Sequence, residues 1–489
     1  MVMGDLPTEA EVLVVGGGPG GYAAAFRAAE LGLDVSLVSD EDAIGGVCLL
    51  RGCIPSKTLL YLAELVHMAE EAREMGLGFG APDIDLDGVR AFRDGVVEQL
   101  TGGLETLASQ HGVRLLRGRA RFEGRDAMRI QNGDAGTVRF RHAILATGSR
   151  PVALPGTSFS ERVMDSARAL ELADVPERLL VVGGGYIGLE LGTVYATLGS
   201  AVTLVEMTDR LLPQADPDLV EPLAAQVAER FDEVLLGTRV TDVEETGDAV
   251  SVQLSGGGGP TGDEDGDQDN DGREHADTRR ESFDRILVAI GREPAGADLE
   301  LDTAGIETGD RGFVTVDAQR RTSVDSIYAV GDLAGGSLLA HEAIHEGQVA
   351  AEVIARRPAA FDARAVPAVV YTDPQVAWCG LTERQAADEG REVRVSRFPW
   401  RASGRAVSVG AANGVTKILS DPESDIVLGV GITGRHAESL IAEGVLAVEM
   451  GARLEDLSLA VHPHPTLSET IGEAAGAPLR RAVHLRSRR

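Results

Sequence analysis

Lysine is nearly absent from this chain of 489 residues: only Lys57 and Lys417 occur, and arginine supplies the other 44 of its 46 basic side chains. Basic charge as a whole is scarce beside 77 acidic residues, and the formal net charge of −31 excludes a general phosphate-tracking role on nucleic acid. A charge this negative makes a folded chain repel itself unless salt screens it, so the expected setting is a high-salt cytoplasm. The three cysteines, Cys48, Cys53 and Cys379, are too few for a secreted disulfide framework or a four-thiolate zinc site. No apolar run approaches the ~18 to 20 residues of a membrane span. The opening MVMGDLPTEAEV lacks the basic-then-apolar pattern of a signal peptide, and a cytoplasmic protein is expected.

What the chain does contain is a repeat. Residues 12–39, VLVVGGGPGGYAAAFRAAELGLDVSLVS, and residues 179–206, LLVVGGGYIGLELGTVYATLGSAVTLVE, follow one plan: an apolar strand, a glycine-rich turn, a helix ending near Gly32 or Gly199, and a second apolar strand. Each is a βαβ unit. Strands ending ILATGSRP (144–151) and ILVAIGREP (286–294), with SIYAVGD ending at Asp332, mark points where the chain passes between nucleotide domains. The expected division is a first nucleotide domain over 1–150, a second over 151–285, a return to the first over 286–350, and a separate α+β domain over 351–489. In the last domain VPAVVYTDPQVAW, VTKILSD and IVLGVGI read as antiparallel strands, followed by helices in AESLIAEGVLAVEMGA and SETIGEAAGAPL. Residues 255–282 are almost devoid of apolar side chains and are expected to form a disordered, acidic hairpin extension. Asp267, Asp269, Asp271 and Gly272 there begin like a calcium loop, but Thr278 stands at the twelfth position where a glutamate is required, and no metal site is expected.

Gly16-x-Gly18-x-x-Gly21 and Gly183-x-Gly185-x-x-Gly188 each follow a strand and open a helix. That is the context in which glycines allow a tight turn and a pyrophosphate rests on the helix N-terminus. Two copies, each inside a βαβ unit, specify two Rossmann-like dinucleotide sites. In the second, Glu206 ends the second strand, placed to accept from a ribose 2′-hydroxyl and to repel a 2′-phosphate, which predicts NAD over NADP. The equivalent position of the first unit is Ser39, with Asp40 next.

Cys48 and Cys53 lie in GGVCLLRGCIPSK, residues 45–57. On an ideal helix, residues five apart have Cα atoms roughly 8 to 9 Å distant, beyond the ~7 Å limit of a disulfide. A bridge therefore needs a distorted helix start, which Gly52 permits; the alternative is two buried cysteines in an ordinary helix. A nicotinamide delivers a hydride whereas a disulfide takes two electrons through thiolate attack, so a flavin between them is a natural mediator. Two dinucleotide sites and a dithiol thus point to FAD in one and NAD in the other. Lys57, one of only two lysines, is placed to set an ammonium beside the flavin, a surface lysine being the alternative.

GGVCLLRGCIPSK, the two glycine turns, IYAVGD and HPHPTLSE near the C-terminus together resemble the pyridine nucleotide-disulfide oxidoreductases, and within them the branch that oxidises protein-bound dihydrolipoamide. The resemblance implies a homodimer of α/β class, two Rossmann-like FAD/NAD(P)-binding domains followed by a C-terminal α+β dimerisation domain. Its implied partner is a lipoyl-bearing carrier protein or a 2-oxoacid dehydrogenase-type complex. It further implies that Cys48 meets substrate, that Cys53 faces the flavin, and that Lys57 pairs with Glu190. His464, oriented by Glu469 and supplied by the partner subunit, would be the general base, a role that suits an imidazole acting on thiols. Around FAD the resemblance places Gly46, Ala120, Thr147, Gly148, Ser149, Asp332, Ala340 and His341; around NAD it adds Tyr186, Ile187, Val240 and Gly291. His462 and Cys379 are left to local structure and core packing. The chain departs from the family pattern at Ser39, where a glutamate is usual, at Leu50, where asparagine is frequent, and at Pro463, where alanine is usual. Two other functions fit the same residues: an NAD(P)H-dependent reductase of a small disulfide, and a non-catalytic NAD-sensing flavoprotein subunit.

Overall fold

The run VLVV at residues 12–15 has no polar side, and its side chains alternate between two cores. Val12 and Val14 pack with Ala24, Ala25 and Ala28 of the following helix, whereas Leu13 and Val15 join Met128, Phe140 and Ile327 on the opposite face. Burial on both faces is what a central parallel strand requires. In a computed structural model that describes residues 8–133, 136–256 and 278–485, the chain divides into two units. The first comprises Met1–Thr58, Asp85–Val152 and Gly291–Asp362, the second Leu59–Ile84, Ala153–Ile290 and Ala363–Arg489.

In the first unit, strands Thr8–Val15, Val35–Ser39 and Arg114–Arg117 run parallel. Thr137–Leu145 lies on the other side of Thr8–Val15 and changes neighbour along its length, pairing antiparallel with Ala127–Gln131 at its start and parallel with Ile327–Ala329 at its end. Beyond the sheet, Ser149–Pro151 and Arg292–Pro294 pair antiparallel with each other, so the two glycine-and-proline passages form one ribbon.

Among the described residues the second unit carries three sheets. Strands Glu233–Leu235, Ala201–Val205, Arg178–Val182, Arg285–Val288 and Val163–Met164 form a parallel sheet in that order. Thr238–Thr246, Ala249–Gly256 and Thr278–Phe283 form an antiparallel one, and Ala368–Val370, Gln375–Gly380, Val427–Gly434, Val415–Ser420 and Arg394–Pro399 a second antiparallel one. Helices Ala437–Met450 and Glu469–Gly476 cover the last of these around Trp400, Ile418 and Ile432.

Three expected boundaries move. Arg285–Val288 pairs with Arg178–Val182, so the segment after 285 still belongs with the second nucleotide sheet. Residue 350 falls inside helix Ala340–Ile354, which keeps the first unit going to Asp362. The segment expected to be disordered over 255–282 is strand at both ends, with Ser255 opposite Thr278; 257–277, including Asp267, Asp269 and Asp271, lie outside the described residues. Helix Cys53–Glu71 continues well past the helix start expected at the cysteines, and helix Leu86–Gln110 has no counterpart among the expected elements. Among the described residues no helix is long and apolar enough to cross a membrane.

The second lysine is explained here. Lys417 is wholly buried, its Nζ 2.7 Å from carboxylate oxygens of Asp216 and Asp218 and 2.5 Å from Glu383. Those three acids have the spacing of a metal site, but the lysine ammonium is itself the cation bound among them. Burial works against that charge and the carboxylates outweigh it, so the lysine is held above its ordinary value.

Candidate active site

The first nucleotide turn sets the position of the dithiol through backbone contacts. Strand Thr8–Val15 runs into Gly16, and helix Pro19–Glu30 starts after Gly18, whose place at the cap leaves the first-turn N–H groups without a side-chain acceptor. Gly21 packs so closely that a Cβ there would lie 1.9 Å from the Gly16 carbonyl oxygen. The Gly45 N–H donates to Gly17 O at 2.7 Å, and a Cβ on Gly46 would come within 2.5 Å of the Gly18 Cα. The segment carrying Cys48 is thus seated directly on the turn. Ser39 is buried against Gly17, where a Cβ would meet its Oγ at 3.3 Å. Asp40 instead turns to the surface, 3.2 Å from Arg119.

The helix carrying the cysteines is broken in two, as a bridge between residues five apart demands. Gly46–Arg51 stops, Gly52 intervenes, and Cys53–Glu71 begins anew. A Cβ at Gly52 would meet Val47 O at 2.7 Å, so the break tolerates no side chain. The two cysteines are in the thiol form here, Cys48 half-buried and Cys53 exposed. Cys48 is pushed far above its ordinary value, first by its hydrogen bond to Cys53, then by burial, with the charge of Lys57 pulling the other way. The surroundings of Cys48 thus favour its protonated form. Tyr22, which follows the glycine turn, is raised by burial and by both cysteines; its position directly after Gly21 is the only sequence signal that could have singled it out.

Asp332 lies in the tight turn Gly331–Leu333, beyond strand Ile327–Ala329. Ser149 Oγ donates to its carboxylate. Arg292 grips Ser149 at both ends, Nε to Oγ and Nη2 to the carbonyl oxygen, each 2.7 Å, and comes to 4.0 Å from Asp332. Sequence reading missed Arg292, since nothing in GREP distinguishes it from 43 other arginines. Thr147 donates to Ala295 O at 2.8 Å. Nothing lies within 4 Å of a Cβ built on Gly148, while Ala340 and His341 open helix Ala340–Ile354. Ala120 differs: its side chain is buried in the apolar core and its backbone pairs with Ile130.

In the second unit, Gly183 leads from strand Arg178–Val182 to helix Tyr186–Leu198, which carries Ile187 and Gly188 and is capped by Gly185. A Cβ on Gly185 would meet nothing within 4 Å. Glu206 is buried and fixed: Oε2 accepts from Gly184 N at 2.7 Å, Oε1 from Thr208 N and Oγ1 at 2.8 Å each. Val240 sits at a bulge in strand Thr238–Thr246. Gly291 opens the return to the first unit. Glu190 accepts from Tyr371 N at 3.0 Å; it belongs to the second unit and Lys57 to the first.

Both turns fit dinucleotides, with open helix N-termini at Gly18 and Gly185 and a polar side chain, Ser39 or Glu206, ending the next strand.

His464 and Glu469 meet as expected. His464 Nδ1 is 2.8 Å from Glu469 Oε1, whose other oxygen accepts from Thr466 N at 2.7 Å. The imidazole is 75% exposed, with Nε2 directed away from the carboxylate. Burial opposes the charge of Glu469, but the Thr466 N–H and His464 outweigh it, and the carboxyl lies below its ordinary value. His462 is held locally by Glu443 and the Ala460 carbonyl. Cys379 is core, and burial pushes its thiol up to about 12.

Residues 10–347 match the family model described as pyridine nucleotide-disulphide oxidoreductase, and residues 366–475 match that family's dimerisation domain. Proteins named dihydrolipoyl dehydrogenase from Halobacterium salinarum and Haloferax volcanii are each 45% identical, with all of both chains covered. The one from Vibrio cholerae is 43% identical, covering 96% of this chain and 95% of its own. Among solved structures, LpdA from Mycobacterium tuberculosis superposes with a TM-score of 0.84 at 27% identity, over 96% of this chain and 99% of that one. The HOCl-induced flavoprotein disulfide reductase RclA from Escherichia coli gives 0.81 at 25% identity, over 95% and 99%.

Proposed function

This chain belongs to the pyridine nucleotide-disulphide oxidoreductase family, and from that premise we propose how its residues oxidise dihydrolipoamide to lipoamide while NAD is reduced, the reaction of its full-length relatives. The observation that carries the assignment of roles is the broken helix Gly46–Gly52–Cys53 seated on the Gly17–Gly18 turn. It supports a redox role for the two sulfurs beside a turn suited to a dinucleotide, with Cys48 the one whose surroundings favour a proton.

His464 Nε2 takes the proton of one substrate thiol, while Glu469 on Nδ1 fixes the tautomer and stabilises the imidazolium. The substrate thiolate attacks Cys48 Sγ of the oxidised pair; the Cys48–Cys53 bond breaks and its electron pair leaves on Cys53. The second substrate sulfur then attacks the first, closing the lipoamide ring. Cys48 leaves with that electron pair and takes a proton from His464, and the remaining substrate proton passes to solvent. The two electrons now reside in a Cys48 thiol and a Cys53 thiolate, the distribution that the environment of Cys48 favours. FAD, when bound, supplies the two-electron relay from this pair to NAD.

Gly16, Gly18, Gly21, Gly46, Ser39, Thr147, Gly148 and Asp332 would hold FAD, with Ser39 rather than the outward-turned Asp40 at its ribose. Gly183, Gly185, Gly188 and Glu206 would hold NAD. Lys57 and Glu190 are assigned to the flavin side. The dimerisation domain makes the enzyme a homodimer, with His464 acting on the partner's dithiol. The electron donor is a lipoyl-bearing carrier protein or a 2-oxoacid dehydrogenase-type complex, in the cytoplasm.

The test is anaerobic stopped-flow reduction of the FAD-loaded enzyme in high salt. Dihydrolipoamide together with NAD should raise a long-wavelength thiolate–flavin band and then release NADH; Cys53→Ser should lose both. Reduction by NADPH alone, with turnover of a small disulfide, would move the protein to the reductase reading.

A further inference from the structure

Glu346 has no part in the steps above, yet it is a carboxylate only 2% exposed in the unit that holds the first nucleotide turn. It lies on helix Ala340–Ile354, and each of its oxygens is taken by a donor from elsewhere in the chain. Oε1 accepts from Arg320 Nη1 at 2.7 Å and Oε2 from the Gly331 N–H at 2.6 Å. Arg320 is held in turn, its guanidinium 4.8 Å from the centre of the Phe361 ring.

The Gly331 N–H needs this acceptor. The parallel ladder with Thr137–Leu145 ends one residue earlier, where Val330 N donates to Leu145 O at 2.9 Å. Gly331 then turns with φ +65 and is so close to the helix that a Cβ would lie 2.9 Å from the Ala343 Cβ. Gly331 is itself buried, and its N–H would be an orphan without Glu346. The next residue is Asp332. The same helix also backs the first nucleotide turn, since a Cβ on Gly347 would meet Gly20 O at 2.3 Å. One buried carboxylate thus joins the helix that braces the Gly16–Gly21 turn to the turn that presents Asp332.

We propose that Glu346 is a positioning residue for FAD: by accepting from the Gly331 N–H it holds the Gly331–Asp332 turn in the conformation that lets Asp332 and Ser149 meet the cofactor. This rests on the reading that Asp332 contacts FAD. An apolar residue would fill the space but leave the N–H unpaired, and a glutamine would offer one acceptor where two donors converge.

The measurement is FAD release from purified holoenzyme in high salt, followed by free-flavin fluorescence on dilution, beside thermal melting of the FAD-stripped chain. Glu346→Ala should raise the FAD dissociation constant about tenfold or more, and Glu346→Gln by an intermediate factor, with the stripped Glu346→Gln chain melting no lower than the parent. A folded Glu346→Ala protein that keeps parental FAD affinity overturns the proposal. So does Glu346→Gln losing affinity and melting temperature together to the same extent as Glu346→Ala, which a packing role alone would give. If Glu346→Ala does not fold, Glu346→Gln decides: weaker FAD binding supports the proposal, and unchanged binding overturns it. Asp332→Ala separates the two levels. Unchanged affinity there removes the reading of Asp332 and the proposal with it, whereas weakened affinity with Glu346→Ala at the parental value removes the proposal alone.

Discussion

The surroundings of Cys48 hold on to its proton, and that hold can be moved one residue at a time. Cys53 is the largest cause of the raised value of Cys48 and Lys57 the charge opposing it. Cys53→Ser should therefore lower the pH at which Cys48 in the reduced protein reacts with iodoacetamide, and Lys57→Met should raise it, as the pH dependence of alkylation would show; the same midpoint in all three would remove the coupling. Glu346 supplies a second residue-scale expectation. Burial pushes it up to about 7, with Glu342 adding and the Gly331 N–H and Arg320 opposing. In the unfolded chain it ionises near the ordinary ~4.3, so folding favours the protonated form. The carboxyl then subtracts from stability as pH rises through that range and through 7, by up to roughly 4 kcal/mol. The FAD-free Glu346→Gln chain should exceed its parent in melting temperature most at pH 8 and least at pH 5, and a pH-independent difference would contradict this. At Glu206, the fixed carboxylate makes discrimination electrostatic. Glu206→Ala should lower the NAD over NADP ratio of kcat/KM by about 10- to 100-fold, roughly 1.4 to 3 kcal/mol, chiefly through a higher KM for NAD.

At the scale of elements, the break at Gly52 is what makes two cysteines five apart into a redox pair. A methyl group there would press 2.7 Å from Val47 O, and overpacking of this kind costs about 1 to 3 kcal/mol. Gly52→Ala should lower the melting temperature and slow reoxidation of the dithiol, as thiol titration would follow; parental rates in both would show that the break is not needed. The need for a break was legible in the sequence because it followed from helix geometry and one glycine. The two βαβ units were legible for a related reason: apolar runs, glycine turns and alanine-rich helices are local patterns within about 28 residues. The His464–Glu469 pair was also short-range. Features set by distant chain were not legible. Strand Arg394–Pro399 is RVSRFP, with an arginine on each face, and only its partner Val415–Ser420 identifies it. Helix Cys53–Glu71 leaves the large apolar side chains of Tyr61, Leu65 and Met68 exposed, so apolar character alone does not mark its buried face. That Glu206 would grip Gly184 and Glu346 grip Gly331 depends on backbone N–H groups 22 and 15 residues away, which no local pattern encodes.

For the whole molecule, the question is whether salt helps or harms a fold that has both a net charge of −31 and many contact ion pairs. Arginine meets carboxylate across the surface, as at Arg150–Glu293 at 2.7 Å, Arg285–Asp174, and Arg397 with Asp218 at 2.6 Å, and Lys417 does so in the interior. Exposed pairs contribute about 0 to 1 kcal/mol each, and salt weakens them. Repulsion among the excess acids acts over longer distances. At 0.01 M salt the screening length is about 30 Å, comparable to a domain, so most acidic groups feel one another; at 1 M it is about 3 Å, close to the contact distance of the pairs themselves. Molar salt thus removes nearly all of the long-range repulsion while leaving contact pairs only partly screened. The protein should melt at progressively higher temperature between 0.05 and 2 M potassium chloride, and lose activity on dilution into the lowest salt. A melting temperature that is flat or falls with salt would mean that the arginine–carboxylate pairs outweigh the net charge. Lys417→Arg gives the internal control, because its cage is screened by protein rather than by salt. Three converging acceptors suit an ammonium better than a planar guanidinium, so this variant should melt lower by a similar amount at every salt concentration.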